Sequence, residues 1–70
     1  MPSSVIAVFE YTPASRELIV RFQTGRVYVY SNVPAETAAA FRHAFSKGTF
    51  FNREIRDRFS FRELAPSADA

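Results

Sequence analysis

Cysteine and tryptophan are absent from this sequence of 70 residues, which also has only two glycines, one methionine and one histidine. Without cysteine the chain can form neither a disulfide framework nor a thiolate metal site. Nowhere do about 18 apolar residues follow one another, so no transmembrane helix is predicted. The first residues also lack the basic and apolar regions of a secretory signal. We therefore expect a cytoplasmic protein that does not cross a membrane.

Side chains suited to catalysis are also scarce. His43 is the only histidine, and it falls on the predicted solvent side of a helix. Glu54 lies four residues before Arg58, and Asp57 lies four residues after Arg53. At that spacing both carboxylates are better explained as helix-surface ion pairs than as a paired acid and base. We expect a non-catalytic binding module without a metal ion or cofactor.

Aromatic residues are what the sequence has in abundance, with eight phenylalanines and three tyrosines. A chain of this length buries only about 60% of the surface that it exposes when unfolded, so it has room for one hydrophobic core. Large aromatic side chains supply much of the apolar area of such a core. We predict a single domain over residues 3–64, followed by a flexible tail over residues 65–70.

Alternating apolar residues in the first half of the chain predict three antiparallel strands. Residues 4–11 are rich in β-branched and aromatic side chains, and a turn at Pro13 ends this strand. In the second strand Leu18, Val20 and Phe22 share one face, because side chains alternate between the two faces of a strand. The third strand, residues 27–30, follows after a short turn and completes a hairpin.

The first predicted helix begins at Pro34, whose missing N–H would be unpaired at the first helical position anyway. Gly48 is suited to end it, because glycine readily adopts the left-handed conformation found after helix ends. The stripe expected to face the core consists of Thr37, Phe41, Ala44 and Phe45.

A second, shorter helix is predicted to start with Thr49 as its cap. Phe61 and Leu64 are expected to pack the end of the domain back onto the core. The predicted fold is therefore an α+β domain of order β-β-β-α-α, with a three-stranded antiparallel sheet followed by two short helices. The core positions of the second helix recur at intervals of four: Phe51, Ile55 and Phe59.

The turn of the hairpin decides which face of the sheet two tyrosines occupy. A two-residue turn at Thr24-Gly25 would direct Tyr28 and Tyr30 away from the face of Val20, but it needs a positive φ at Thr24, which a β-branched residue resists. A three-residue turn needs a positive φ only at Gly25 and forms a bulge that shifts the register by one residue. We favour the bulged turn, which places both tyrosines on the core face.

Positive charge is concentrated in the second half of the chain. The formal net charge is only +2, but residues 42–62 contain six basic side chains against two acidic ones. Basic residues combined with aromatic ones are typical of proteins that bind RNA by phosphate contact and base stacking. Backbone amides near Lys47 and Gly48 would assist in holding a phosphate. The candidate nucleic-acid-binding residues are Arg26, Tyr28, Tyr30, Arg42, Lys47, Arg53, Arg56, Arg58 and Arg62.

Short fragments along the chain also carry a family resemblance. In order they are Ser3-Ser4-x-Ile6, Phe22-x-x-Gly25-x-Val27-Tyr28-x-Tyr30, Val33-Pro34 and Ser46-Lys47-Gly48-x-x-Phe51-Asn52-x-x-Ile55-Arg56. With this order and spacing the sequence resembles the KTSC family, a short domain found at the end of some lysyl-tRNA synthetases and as a free-standing bacterial protein. The resemblance runs from about Ser3 to Leu64. It implies RNA binding, because the family is attached to a tRNA-charging enzyme.

Two functions from different classes remain as hypotheses. The first is an RNA-binding module, for tRNA or single-stranded RNA, that uses the basic surface around the two helices, with Tyr28 and Tyr30 mainly supporting the sheet. The second is a homo-oligomerising or protein-interaction domain that uses the free apolar face of the sheet, with Ile19, Val27 and Val29 as candidate contacts. Salt dependence separates them, because phosphate contacts weaken steeply with ionic strength.

Overall fold

The α+β class and the antiparallel sheet predicted from the sequence are confirmed in a computed structural model, which describes residues 6–64. The strands have the order β1-β2-β3-β4, and the helices lie between β3 and β4 in the chain. The predicted residues 3–5 and the predicted tail over residues 65–70 lie outside the described residues. The elements are β1 (Ile6–Thr12), β2 (Glu17–Phe22), β3 (Val27–Tyr30), α1 (Ala35–His43), α2 (Lys47–Phe50), a π-helical segment (Phe51–Ile55) and β4 (Phe61–Leu64).

The sheet has a fourth strand, so the prediction of three strands was wrong. β4 pairs with β3, with Phe61 opposite Tyr30 and Leu64 opposite Val27. The β4 sequence contains no β-branched residue, and all of its residues are exposed, so no alternating pattern signalled a strand. The expected packing of Phe61 and Leu64 onto the core was also wrong, since they remain 53% and 39% exposed.

The hairpin between β2 and β3 has the bulged turn that the sequence favours. Gly25 N–H donates to the Phe22 carbonyl, and Phe22 N–H donates to the Arg26 carbonyl, both at 2.9 Å. Gly25 has a φ of +98°, which a residue with a side chain rarely adopts. In the resulting register Tyr28 lies opposite Val20 and both tyrosines share the core face, as predicted.

β1 lies along the other side of β2 and joins the sheet to α1. Its register shifts between Ile6 and Val8, which indicates a bulge in this edge strand. The Phe9 ring stacks on the ring of Phe41 in α1, with centroids 4.1 Å apart. The Tyr11 hydroxyl donates to the Val33 carbonyl at 2.6 Å. These contacts hold the first helix against the β1 and β2 side of the sheet.

α1 is shorter than the predicted helix. Pro34 is its cap rather than its first residue, and Ala44 has extended backbone angles. Because the helix ends at His43, the stripe predicted to continue through Phe45 is interrupted, and the Phe45 side chain is fully exposed. Phe41 is fully buried, as predicted, and Ala38, which was not in the predicted stripe, is the other buried residue of α1.

The start of the second helix also differs from the prediction. Ser46, not Thr49, is the cap, and its hydroxyl accepts a hydrogen bond from Thr49 N–H at 3.3 Å. Gly48 therefore lies inside α2, where it is buried, and does not end α1. Lys47 Nζ donates to the Ala44 carbonyl at 2.7 Å and so satisfies a carbonyl beyond the end of α1.

The core lies between the sheet and the helices. As predicted, Phe51 and Ile55 are buried, and Phe59 is partly buried against the same cluster. The helical layer covers β1 and β2 more fully than the β3 and β4 side, where Phe61 remains half-exposed. The buried cluster consists of Leu18, Val20, Tyr30, Val33, Phe41, Phe51 and Ile55.

Candidate functional site

An open groove lies on the core face of the sheet, where the helices leave β3 and β4 incompletely covered. Its volume is about 480 Å³. Strands β2, β3 and β4 supply one wall, and the π-helical segment and the turn after it supply the other. We call this feature the aromatic groove; it is lined by Phe22, Tyr28, Tyr30, Phe51, Asn52, Arg56, Asp57 and Phe61.

The sheet wall of the aromatic groove is a nearly continuous aromatic surface. Tyr28 stacks on Phe22 with centroids 5.4 Å apart and on Tyr30 at 6.4 Å, with interplanar angles of 23° and 19°. Phe61 lies 5.3 Å from Tyr28 and 5.4 Å from Tyr30. The hairpin bulge at Gly25 produces this arrangement, because the other register would place the tyrosines on the opposite face.

The opposite wall is polar and comes from a wide helical turn. Arg56 N–H donates to the Phe51 carbonyl at 2.8 Å, which is the five-residue spacing of a π-helix. The side chain of Arg56 donates to the Asn52 amide oxygen at 3.3 Å, and both side chains are exposed. Asp57 follows directly. π-Helical turns occur frequently at functional sites, and here one brings an amide, a guanidinium and a carboxylate to the groove.

Groups on both walls of the groove influence the pKa of Tyr30. Burial, followed by the nearby Tyr28, raises the pKa of Tyr30 to about 12, while Arg56 opposes this shift and Asp57 adds to it. The Tyr30 hydroxyl therefore keeps its proton at neutral pH and can donate a hydrogen bond. Arg26 lies near Tyr28: a hydrogen bond with Tyr28, followed by the charge of Glu63, raises the pKa of Arg26.

The predicted basic residues do not gather in one place. Arg56 lines the aromatic groove, and Arg26 forms an ion pair with Glu63 at 3.8 Å. Arg62 is paired with Glu17 at 3.7 Å. The Lys47 ammonium caps α1, so it is less available for phosphate than the sequence suggested. The three remaining cations are exposed and do not line the groove: Arg42, Arg53 and Arg58.

The ion pairs predicted on the second helix do not form. Over residues 6–64, the ion pairs are those of Arg26 and Arg62 described above, and neither Glu54 nor Asp57 takes part in one. The helix is regular only up to Phe50, so the spacing of an ideal α-helix does not apply beyond it. The Asp57 carboxylate is consequently left facing the groove.

Sequence reasoning missed much of the groove. Phe22 and Phe51 were assigned to the core, Asp57 to an ion pair and Phe61 to core packing, and Asn52 was given no role in a site. One signal could have joined Asn52 to Arg56, since they are four residues apart in the predicted helix, although the same spacing wrongly paired Arg53 with Asp57. Phe61 carried no such signal, because its place depends on the pairing of β4.

The outer face of the sheet presents a smaller apolar feature. Val8, Ile19 and Val27 line a depression of about 130 Å³, with Val8 49% exposed. Val29, which was predicted to belong to an interaction face with Ile19 and Val27, is only 2% exposed and offers almost no surface to a partner. Glu10 and Arg21 add opposite charges to the depression.

The described helices and side-chain clusters add two findings. None of the helices within residues 6–64 is long and apolar enough to cross a membrane. The same part of the chain contains no group of three or more histidine, cysteine, aspartate or glutamate side chains placed to hold a metal ion.

The fold and the groove define a small α+β domain with an open groove lined largely by aromatic residues, and comparison with known proteins identifies its family. Residues 2–59 match the KTSC domain, and the chain belongs to the KTSC family. A crystal structure of a KTSC domain protein from Yersinia pestis is 35% identical, with a TM-score of 0.84, and the match covers 93% of this chain and 92% of that one.

Two sequence relatives place the domain in different contexts. A protein from Tsukamurella paurometabola is 39% identical over 57 residues, which are 81% of this chain and 85% of that protein. A lysine–tRNA ligase from Nostoc punctiforme is 37% identical over 62 residues, which are 89% of this chain. The chain spans only 11% of the length of that ligase.

Most of the residues that line the aromatic groove also carry the family resemblance. Six of the eight groove-lining residues fall within the sequence fragments that carry the resemblance, and they come from parts of the chain that are distant in sequence. Only Asp57 and Phe61 fall outside these fragments. The six are Phe22, Tyr28, Tyr30, Phe51, Asn52 and Arg56.

Proposed function

We propose that this domain binds single-stranded RNA, with an unpaired base stacked in the aromatic groove and Arg56 donating to the bound strand. The observation that carries the proposal is a partly exposed aromatic cluster, formed by Phe22, Tyr28 and Phe61, in a groove that an exposed guanidinium also lines. Aromatic platforms bind unpaired bases because every base has a flat π-face, and each stacked base contributes about 1–3 kcal/mol.

The size and openness of the groove fit this ligand. Its volume of about 480 Å³ lies within the range of small-molecule sites, which is about 300–1,000 Å³. Bases within a duplex are stacked on each other and cannot enter it, so unpaired bases are favoured. The exposed Arg53 and Arg58 are close in sequence to Arg56 and supply further positive charge to the strand.

The context of a relative supports an RNA ligand. A region similar to this chain forms part of a lysine–tRNA ligase. A small domain attached to such an enzyme is well placed to contact the RNA of its substrate. This context favours RNA over other ligands with flat aromatic groups, and it makes tRNA with its unpaired loops a reasonable natural partner.

Fluorescence anisotropy with labelled single-stranded RNA of about eight nucleotides tests the proposal. We expect binding at low salt, weaker binding to a duplex of the same sequence, and an affinity that falls about tenfold between roughly 50 and 200 mM salt if two or three phosphates are contacted. No binding to single-stranded RNA or tRNA at low salt would overturn the proposal.

Two arginine variants separate the groove from general charge attraction. Arg56→Gln removes a cation that lines the groove, whereas Arg42→Gln removes one exposed cation from α1. Both variants lose the same charge. We expect Arg56→Gln to weaken RNA binding several-fold more than Arg42→Gln. Equal losses would mean that the RNA is held by diffuse charge and not in the groove.

Self-association is a second candidate function, and one observation favours it. Val8 is 49% exposed on the outer face of the sheet, beside Ile19 and Val27. Exposed apolar patches of this kind often contact other proteins. We expect Ile19→Lys to reduce the mass of any oligomer measured by sedimentation, with no effect of raised salt on the unsubstituted protein. A monomer at all concentrations would exclude this function.

A further inference from the structure

The polar wall of the aromatic groove contains a guanidinium and a carboxylate on consecutive residues. Arg56 uses one N–H on the Asn52 oxygen at 3.3 Å, and within residues 6–64 its other side-chain donors have no hydrogen-bond partner. The Asp57 carboxylate takes part in none of the ion pairs found over residues 6–64, although it lines the groove. A ligand in the groove therefore meets strong donors and strong acceptors side by side.

The four RNA bases differ in how well they match this pair of groups. Guanine alone has two adjacent donors on its pairing edge, N1–H and the N2 amino group, and two parallel donors are what a carboxylate accepts best. Next to them guanine has the O6 acceptor, to which an arginine N–H can donate. Adenine and cytosine each present one amino group on this edge, and uracil presents one N–H.

We propose, building on RNA binding by the groove, that the aromatic groove selects guanine. The base packs against the aromatic surface of Tyr28 and the half-exposed Phe61, the Asp57 carboxylate accepts from N1–H and N2–H, and Arg56 donates to O6. Asn52 holds Arg56 in position through the hydrogen bond already present.

Binding to short oligouridine strands with one central substitution tests this selectivity. We expect a central guanine to bind at least about tenfold more tightly than a central adenine, cytosine or uracil. Inosine, which keeps N1–H and O6 but lacks the N2 amino group, should fall between guanine and adenine. Equal affinity for all strands would overturn guanine selection while leaving RNA binding intact, and failure of every strand to bind would overturn RNA binding itself.

Protein variants test the role of the carboxylate. Asp57→Asn replaces one acceptor oxygen by a donor that opposes N1–H and N2–H, so we expect the ratio of guanine-strand affinity to plain-oligouridine affinity, measured on the same variant, to fall toward one. Glu54→Gln removes an exposed carboxylate that does not line the groove and should change neither. A guanine preference that survives Asp57→Asn would contradict the assignment. Should Asp57→Asn fail to fold, the inosine strand decides alone, since it leaves the protein unaltered.

Discussion

Phe51 presents its edge to the ring of Tyr30, with centroids 5.5 Å apart and an interplanar angle of 81°. It makes a similar contact with Phe22 at 5.4 Å and 89°. Phe51 is buried at the start of the π-helical segment, so the helical layer contacts aromatic rings on two neighbouring strands of the sheet wall. The groove wall is thus held in place without a ligand, which reduces the ordering entropy lost on binding.

Phe61→Ala should weaken RNA binding while leaving the domain folded. The side chain is 53% exposed and forms part of the sheet wall, so its removal takes away stacking surface but little core. We expect roughly fivefold weaker binding or more in anisotropy titrations. Phe45→Ala is the matched control, because Phe45 is fully exposed and does not line the groove. Equal effects of the two changes would argue against the groove as the site.

Gly25→Ala should lower the free energy of unfolding by about 1 kcal/mol or more through backbone strain. A Cβ at Gly25 would meet no atom within 4 Å, so only the φ of +98° opposes it. Urea denaturation measures the change. Gly25→Asn should be less destabilising than Gly25→Ala, because asparagine tolerates positive φ better. Unchanged stability of the alanine variant would contradict the bulged turn.

Ser46→Ala should destabilise the domain by about 0.5–2 kcal/mol, because it removes the acceptor for Thr49 N–H at the start of α2. Thr49→Ala keeps that acceptor and should cost less. Thermal unfolding of both variants tests which residue is the cap. A larger loss for Thr49→Ala would restore the assignment made from sequence, in which Thr49 caps the helix.

Stability should fall at high pH because of Tyr30. Its pKa is raised to about 12 in the folded protein, against an ordinary value near 10 in the unfolded chain. As the pH rises, the unfolded state therefore releases this proton before the folded state does. The contribution of Tyr30 to the free energy of unfolding is fully present below about pH 10 and declines as the pH rises toward 12. The free energy of unfolding of Tyr30→Phe, measured by denaturation at several pH values, should lack this part of the decline. Identical pH profiles for the two proteins would show that the folded pKa is not raised.

The parts of the fold that were predictable depend on local rules. The hairpin register followed from Thr24 and Gly25 alone, since the first resists positive φ and the second accepts it. The fourth strand depends on pairing between segments that are not adjacent in sequence, and residues 61–64 contain no sequence pattern that predicts a strand. The early end of α1 at His43 moved Phe45 from the predicted core to the surface.

The site was harder to predict than the fold. The tyrosine pair was assigned correctly to the core face, but that face is buried in one half and open in the other. Which half stays open depends on where the helices end and on the π-helical turn, and hydrophobic periodicity describes neither. Asp57 shows the same difficulty, because an ideal helix would have paired it with Arg53.

The position of β4 has a consequence for how the groove is assembled. β1, β2 and β3 are consecutive in the chain and can pair through short turns, but β4 must wait for the helices to be placed. Because pairing of β4 with β3 closes a long loop, we expect β4 to pair last during folding and to separate from β3 first in the native state. Native-state hydrogen exchange should find faster exchange at the β3–β4 ladder than at the β2–β3 ladder. If β4 separates from β3 while the core stays folded, single-stranded RNA would be able to enter the aromatic groove from the β4 side.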